Sequence, residues 1–291
     1  MNYRHTFHAG NFADVVKHAV LVRILLHLRD KSGPFRVLDC HGGAGLYDLA
    51  PDKLAPREGG REAEWQQGIG RLLKVQLSAP EQEILAPYLD LVRSFNPDGE
   101  LRHYPGSPLI AQRLLRADDR LVACESEPAT FHALQQSLGR DRRSKALDID
   151  GWVALNAYLP PKERRGVVVI DPPFEQGDEF AHVLAGLGAA ERKWPGGIYL
   201  IWYPLTRRAN AAPFRKRLCA MAFPKILDVT FDLGEGAPAE RLAACGLAIV
   251  NPPWTLESQL HVLLPTLARA LGGTNGRGYL SWLRSENSAS T

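Results

Sequence analysis

The sequence contains no closely spaced pair of cysteines. Its four cysteines stand far apart, at Cys40, Cys124, Cys219 and Cys245. This spacing excludes a zinc site of the CxxC type and a disulfide framework. We therefore expect a protein without a metal ion, in a reduced, cytoplasmic setting.

Long apolar runs are lacking as well. The N-terminal stretch MNYRHTFHAG is polar, and later apolar runs such as HAVLVRILLHLRD are interrupted by charges. A secretory signal needs a continuous apolar core, and a membrane-spanning helix needs about 20 apolar residues. We expect neither export nor a membrane partner.

Neither sign of charge dominates. The chain has 35 basic and 32 acidic residues, a net charge of +3 and a pI of about 8.7. This balance does not by itself indicate a nucleic-acid partner. Basic residues do gather in places, and each group taken singly is typical of a solvated surface. The groups are Arg4, His5, His8, Lys17, His18, Arg23 and Arg29, then Lys162, Arg164 and Arg165, then Arg207, Arg208, Arg215, Lys216 and Arg217.

Seven short apolar runs, rich in β-forming residues, alternate with stretches of helical spacing. They are residues 36–40, 121–124, 146–149, 167–170, 197–202, 226–231 and 246–250. This alternation predicts an α/β sheet. The last two runs are too close for a crossover helix, so we expect the final strand to be antiparallel, as in the Rossmann-like sheet of class I methyltransferases.

The chain is longer than such a sheet needs between its first two strands. Residues 42–120 exceed one ordinary crossover, and helical patterns cover residues 62–75 and 80–95. We predict a helical insertion at 48–105, a methyltransferase domain formed by 1–47 and 106–284, and a disordered tail at 285–291. Asn11 is expected to cap an N-terminal helix that ends near Asp30.

A glycine-rich turn follows the first strand, in the sequence LDCHGGAG. Glycines there allow a tight turn and close approach of a nucleotide-like cofactor at Gly43. The third glycine of a dinucleotide fingerprint is replaced by Asp48. Glu125, after the second strand, is placed to accept ribose hydroxyls, and Asp150 and Gly151 to receive an adenine ring. A plain structural turn and an exposed acid explain the same residues.

The fourth strand ends in the most informative pattern, VVVI followed by Asp171, Pro172, Pro173 and Phe174. Prolines have no N–H, so this turn presents bare carbonyl oxygens. The Asp171 carboxylate and the Pro172 carbonyl are suited to accept the hydrogens of a base amine as positive charge develops on its nitrogen. Phe174 is suited to stack on an extruded base. We predict a methyltransferase that uses S-adenosylmethionine, although a proline-stopped strand with a buried Phe174 remains the simpler alternative.

A second pattern of this kind, Asn251-Pro252-Pro253-Trp254, follows the last strand. The cofactor of such a sheet lies at the carboxyl ends of the central strands, close to the first strand. The fourth strand is expected next to the first, and the last strand is two places further out. We therefore assign the chemistry to Asp171 and a structural turn to Asn251.

These residues together resemble the RlmJ family of bacterial 23S rRNA adenine-N6 methyltransferases over nearly the whole chain. The matching stretches are YRHTFHAGNFADVVKH at 3–18, LDCHGGAG, YPGSPLIA at 104–111, IDPPF and IVNPPW. The resemblance implies a monomer that methylates one adenine in a stem-loop of 23S rRNA, preferably before the subunit is complete. It also implies cofactor contacts at His18, His41, Gly43, Ser107, Glu125, Asp150, Gly151 and Asp171.

The resemblance further implies that Tyr3, His5 and Lys17 contact the RNA or the target base. Three other functions are compatible with the residues. The DPPF pattern does not specify which amine is held, so guanine N2 or a DNA adenine is an alternative acceptor. A non-catalytic RNA-binding assembly factor is the third possibility, and only the basic groups favour it.

Overall fold

The computed structural model describes residues 8–50, 63–174, 177–206, 210–234 and 242–285. These residues form ten strands. They are β1 (Arg36–Asp39), β2 (Leu46–Asp48), β3 (His103–Pro105), β4 (Arg120–Glu125), β5 (Ser144–Asp148), β6 (Gly166–Ile170), β7 (Ile198–Pro204), β8 (Ile226–Asp232), β9 (Ala244–Val250) and β10 (Arg277–Arg284).

Eight of the strands form one sheet in the order β10-β8-β9-β7-β6-β1-β4-β5. Neighbours from β5 to β7 are parallel, and β9 runs antiparallel between β7 and β8. The predicted Rossmann-like α/β sheet, with an antiparallel strand near its end, is confirmed. β1, β4 and β6 end on the same side, which we call the carboxyl end of the sheet; the opposite side is the amino end.

The strand β10 adds an eighth member that the apolar pattern does not predict. Among the described strands it pairs with β8 alone, and it lies at the border of the sheet. Two of its large side chains are exposed, Tyr279 to 59% and Trp282 to 37%. Because a border strand buries little of its surface, its sequence lacks the continuous apolar run that marks the central strands.

The described helices cover both faces of the sheet. They are α1 (Phe12–Arg29), α2 (Glu64–Gln67), α3 (Ile69–Leu72), α4 (Ala79–Ser94), α5 (Ser107–Leu114), α6 (Pro128–Leu138), α7 (Gly151–Tyr158), α8 (Glu179–Lys193), α9 (Ala211–Cys219) and α10 (Leu256–Leu267), which continues into a π-helical turn at Ala268–Gly272. The larger core lies under α1, α4, α5, α6 and α10, and the smaller one under α7, α8 and α9. Among the described residues, no helix is both long and apolar enough to cross a membrane.

The N-terminal helix α1 begins where the sequence predicts. The Asn11 side chain accepts hydrogen bonds from the backbone of Ala13 and Asp14, both at 3.0 Å, and so caps the helix. Burial extends around nearly the whole helix and includes the polar side chains of Asp14, Lys17 and His18. Buried charges are costly unless paired, so these three residues need partners inside the protein.

The predicted helix over residues 62–75 is interrupted. It forms the short helices α2 and α3, which are separated at Gly68. A Cβ at Gly68 would lie 2.0 Å from the Gly10 carbonyl oxygen, which accepts a hydrogen bond from the Ile69 backbone at 2.9 Å. The break therefore permits a close approach to the chain just before α1.

The second predicted helix of this region is present as α4, and it packs on α1 and α10. The ends of the region meet in an unpredicted antiparallel ribbon of β2 and β3. The boundaries proposed for the insertion, 48–105, remain a prediction. Of the predicted disordered tail, 285–291, all but Ser285 lies outside the described residues.

Candidate active site at the carboxyl end of the sheet

The turn after β1 has the backbone that only glycine adopts easily. Gly43 and Gly45 have φ values of +59° and +77°. A Cβ at Gly43 would lie 2.2 Å from the Tyr47 hydroxyl oxygen. The Gly43 N–H donates to Glu125 Oε2 at 3.1 Å, so the turn is joined to the end of β4.

Glu125 has a second set of partners. Its Oε1 accepts hydrogen bonds from the backbone of Ser126 and Glu127, both at 2.9 Å. The carboxylate is thus held in one orientation at the end of β4. Oε2 accepts from Gly43 alone among these donors and keeps a further lone pair, so this arrangement leaves acceptor capacity for a ribose hydroxyl, which the sequence predicts as a ligand.

Asp150 and Gly151 begin α7. Asp150 Oδ1 accepts from the Trp152 and Val153 backbone, at 2.9 and 3.0 Å, and caps the helix. A Cβ at Gly151 would lie 2.2 Å from the Cys40 carbonyl oxygen. Glycine is therefore required here by contact with the end of β1, a reason that is independent of the room an adenine ring would need.

Asp39, the last residue of β1, carries an unsatisfied polar atom. Its side chain is fully buried, Oδ1 accepts from the His41 backbone at 3.3 Å, and Oδ2 has no hydrogen-bond partner among the described residues. Burial raises the pKa of Asp39 to about 6, and the Ser107 hydroxyl and the Lys17 charge offset part of that effect. An unpaired buried acceptor is costly and suits a ligand that donates.

His41 links the glycine turn to Asp171. The Asp171 N–H donates to its Nδ1 at 3.4 Å, and the Trp152 ring meets the imidazole edge to face at 5.1 Å between centroids. Burial lowers the pKa of His41 to about 4, although the Asp171 and Asp150 carboxylates oppose this. The imidazole is therefore neutral at pH 7 and contributes no charge.

Asp171 lies directly after β6 and is bonded to α1. Its Oδ2 accepts a hydrogen bond from the Lys17 ammonium, which also donates to Asp14 Oδ1 at 2.8 Å. The side chains of Lys17 and Asp171 are 5% and 14% exposed. Burial alone would lower the pKa of Lys17, but Asp14 and Asp171 reverse the effect and raise it well above its ordinary value. Lys17 is thus a fixed cation beside the predicted catalytic carboxylate.

Phe174 completes the turn with a backbone unusual for a non-glycine residue. Its φ is +50°, and its half-buried ring contacts Phe180 at 5.1 Å and Trp202 at 5.7 Å between centroids. Left-handed backbone costs energy for an aromatic residue and therefore needs support from its surroundings. The contacts with Phe180 and Trp202 supply that support and hold the ring of Phe174, which lies three residues after Asp171 in the chain.

The remaining predicted cofactor residues on α1 and α5 are also buried. His18 Nδ1 is 2.7 Å from the Tyr104 hydroxyl, which is 2.9 Å from the Tyr88 hydroxyl of α4. Ser107 is the first residue of α5, and its hydroxyl faces Asp39 closely enough to lower the pKa of that carboxyl. A chain of buried polar groups therefore joins α4 to α1.

The second proline pattern lies elsewhere. Because β9 is antiparallel, Asn251 follows it at the amino end of the sheet, next to the starts of β7 and β8. Asn251 Nδ2 donates to the carbonyls of Pro195 and Gly197 at 2.8 and 2.7 Å. Strand direction therefore separates this turn from Asp171, and its amide donors are used in holding the chain.

Two arginines of the later basic groups, Arg165 and Arg215, have structural partners. Arg165 donates to the carbonyls of Leu28 and Gly33. Arg215 pairs with the buried Asp228 at 2.7 Å. These contacts agree with a structural role for both arginines. Arg4, Arg207 and Arg208 lie outside the described residues, as do Tyr3 and His5.

The structure brings together most of the predicted residues and adds others that the sequence reasoning missed. The missed residues are Asp14, Asp39, Trp152, Phe180 and Trp202. Asp14 had a usable signal, since it stands three and four residues before Lys17 and His18 and so shares their helix face. Among the described residues, no group of three or more His, Cys, Asp or Glu side chains is placed to hold a metal ion.

Comparison with known proteins points in one direction. Residues 32–284 match the family model described as ribosomal RNA large subunit methyltransferase D, RlmJ. A protein of Escherichia coli named ribosomal RNA large subunit methyltransferase J is 37% identical over 97% of this chain and 99% of its own length. Its namesake in Haemophilus influenzae is 38% identical over 98% and 100%. The crystal structure of protein LPL1258 from Legionella pneumophila superposes with a TM-score of 0.83 at 30% identity, covering 94% of this chain and 98% of that chain.

Proposed function

Because the chain belongs to the RlmJ family of ribosomal RNA large subunit methyltransferases, we propose that it methylates the N6 amine of one adenine in 23S rRNA. The observation that carries this proposal is the placement of Asp171. Asp171 directly follows β6, the strand next to β1; its carboxylate accepts a hydrogen bond from Lys17, and its backbone N–H donates to His41 of the glycine turn. The methyl donor of the proposal is S-adenosylmethionine.

The residues at the carboxyl end of the sheet fit this cofactor. Asp39 Oδ2 is a buried acceptor that lacks a partner among the described residues, and Gly43 and Gly45 of the glycine turn have left-handed backbone and no side chains of their own. The residues that would hold the cofactor are His18, His41, Gly43, Ser107, Glu125, Asp150, Gly151 and Asp171. When bound, S-adenosylmethionine supplies an electrophilic methyl group.

The chain's own residues orient the acceptor. The Asp171 carboxylate and the Pro172 carbonyl accept the two hydrogens of the adenine amine, which favours a pyramidal nitrogen as positive charge develops. Asp171 Oδ2 is bonded to Lys17, so the amine meets Oδ1. The Phe174 ring, fixed by Phe180 and Trp202, stacks on the extruded base. Lys17, with Tyr3 and His5, positions the target nucleotide.

The finer features of the proposal rest on the likeness to the family. They are a stem-loop substrate, action before the ribosomal subunit is complete, a monomeric enzyme and a cytoplasmic location. Gel filtration of the free protein tests the monomer directly. Methylation of naked 23S rRNA compared with intact subunits tests the preferred stage of assembly.

The central test combines product analysis with Asp171→Asn. Deproteinised 23S rRNA is incubated with methyl-labelled S-adenosylmethionine, digested to nucleosides and analysed by mass spectrometry. We expect N6-methyladenosine at one position, and a loss of at least about 100-fold in the D171N rate. Undiminished transfer by D171N would remove Asp171 from the reaction.

The same assay separates the alternatives. N2-methylguanosine, or transfer to duplex DNA in place of rRNA, would identify a different acceptor amine. Absence of S-adenosylmethionine binding in calorimetry, together with retained rRNA binding, would favour a non-catalytic assembly factor.

A further inference from the structure

Asp14 is a buried acid at the start of α1 that none of the functions assigned above uses. We propose that Asp14 is a positioning residue for methyl transfer, which holds the Lys17 ammonium in place and so keeps one oxygen of Asp171 available to the base amine. This inference rests on the proposed function of Asp171 and adds a residue that acts through Lys17.

The two oxygens of Asp14 have separate partners. Oδ2 accepts from the Gly10 backbone at 3.0 Å, which ties the side chain to the segment before the helix. Oδ1 accepts from Lys17 Nζ at 2.8 Å and lies 3.9 Å from His18 Nε2. The three side chains share one face of α1, because positions three and four apart are neighbours on a helix.

Helix capping does not account for Asp14. Asn11 already accepts from the backbone of Ala13 and Asp14. Asp14 is only 4% exposed, and a buried carboxylate is a poor way to gain stability, since its desolvation offsets the attraction of its partner. A charged carboxylate at this buried position is better explained by its hydrogen bond to the Lys17 ammonium, which it holds in place.

Lys17 is a single cation between two carboxylates. Asp14 and Asp171 both bond its ammonium, so neither takes the whole charge. The other titratable groups around it come from several elements: His18 on α1, Asp39 on β1, Tyr88 on α4, Tyr104 on β3 and Cys245 on β9. Of all these titratable groups, Asp14 and Asp171 are the two that form hydrogen bonds with Lys17.

Removal of the Asp14 charge has two consequences. Gly10 and Lys17 donate to different oxygens of Asp14, and asparagine has an acceptor at only one of these two positions, so its NH2 group would face one of the two donors. The ammonium then pairs with Asp171 alone and competes with the base amine. The pKa of Lys17 also falls, because Asp14 is the larger of its two stabilising charges while burial continues to act against the charged form.

The test compares Asp14→Asn with Asp119→Asn. Asp119 is also buried, and it also accepts from a backbone N–H, that of Phe35, and from a cation, Arg116, but it lies at the amino end of the sheet. We expect D14N to lower kcat about 10-fold or more, with the KM values for both substrates changed less than about threefold. Loss of the Lys17 proton should lower kcat at high pH and so give the pH profile of kcat an alkaline limb. In D14N this alkaline limb should lie about one pH unit or more below that of the wild type.

A readout independent of turnover is the Lys17 Nζ resonance in protein labelled with 15N-lysine, which should titrate at lower pH in D14N than in the wild type. D119N should lose thermal stability and keep the wild-type kcat and alkaline limb. If D14N also keeps the wild-type kcat and alkaline limb, the positioning role is overturned. An inactive D171N would still support the proposed function in that case.

A full-rate D171N would instead overturn the proposed function itself. Should D14N fail to fold, Asp14→Glu keeps the charge, and its alkaline limb and Lys17 titration must stay at the wild-type pH. A shift of either in D14E overturns the proposal.

Discussion

The sheet carries the same short pattern at both of its ends: an apolar strand, then Asp or Asn, two prolines and an aromatic ring. At the carboxyl end, Asp171 is bonded to a buried lysine from α1. At the amino end, Asn251 bonds two backbone carbonyls, and Trp254 is 82% exposed. The backbones differ too, since φ is +50° at Phe174 in one turn and at Asn251 in the other. A local pattern therefore acquires its chemistry from the strand direction that places it.

The buried aspartates of the two ends differ in the same way. Asp119, at the amino end, accepts from the Phe35 and Arg116 backbone and from the Arg116 side chain, which together outweigh burial and lower its pKa. Asp39, at the carboxyl end, keeps an oxygen without a partner among the described residues, and its pKa is raised. Complete pairing indicates a structural group, and incomplete pairing indicates a site that awaits a ligand.

The largest contrast is expected between D171N and Asn251→Asp. D171N should lose at least about 100-fold in rate, whereas N251D should keep the wild-type rate. N251D should instead lose about 1 to 3 kcal/mol of unfolding free energy, because a carboxylate cannot donate to the Pro195 and Gly197 carbonyls. Left-handed backbone suits Asp and Asn alike, so the backbone adds no further cost.

Single-turnover rates and urea unfolding measure the two effects of N251D. A large loss of rate in N251D without a loss of stability would mean that the amino end takes part in the reaction.

The second contrast is the response of stability to pH in Asp39→Asn and D119N. The folded pKa of Asp39, about 6, exceeds the ordinary 3.8, so the folded state binds the extra proton and the wild type loses stability as pH rises from about 4 to 6. D39N has no carboxyl to titrate at this position and does not lose this stability. Its unfolding free energy relative to that of the wild type should therefore rise by on the order of 2 to 3 kcal/mol between pH 4 and 7.

The contribution of Asp119 to stability depends on pH with the opposite sign. Its lowered pKa contributes stability that is present above pH 3.8 and is lost as pH falls through the folded value, so D119N should be destabilised at pH 7 by more than about 2 kcal/mol. Unfolding free energies from urea titrations at several pH values give both slopes. Equal slopes for the two variants would contradict the difference drawn between the ends.

The sequence predicts the sheet well because central strands are marked by apolar runs. The seven predicted runs are strands, and Asn11 caps α1 as expected. The pattern fails where burial is partial or contacts are distant. β10 buries too little surface to show a run, and Gly68 breaks a helix because of Gly10, which lies 58 positions earlier in the chain.

The candidate site follows the same division. Some site residues can be predicted from the sequence because each ends a recognisable strand or begins a turn or helix. They are the glycines, Glu125, Asp150 and Asp171. The contact of Lys17 with Asp171 spans 154 positions, and nothing local to either residue encodes it. Asp39 could not be identified from composition, because its distinguishing property is an oxygen without a partner in the described part of the chain, which only the packed structure defines.

The smallest contrast is expected between the two aromatic residues, in Phe174→Leu and Trp254→Ala. Leucine keeps the apolar contacts with Phe180 and Trp202 but offers no flat π face, so F174L should weaken stacking of the target base by about 1 to 3 kcal/mol and lower kcat/KM for rRNA about 5-fold or more. W254A removes a ring that is 82% exposed, so stability should change by less than about 0.5 kcal/mol and the rate should stay at the wild-type level. Steady-state kinetics with rRNA as the varied substrate measures both variants. A slower W254A would show that RNA reaches the amino end of the sheet, and a fully active F174L would leave the base held by Asp171 and Pro172 without a stacking partner at position 174.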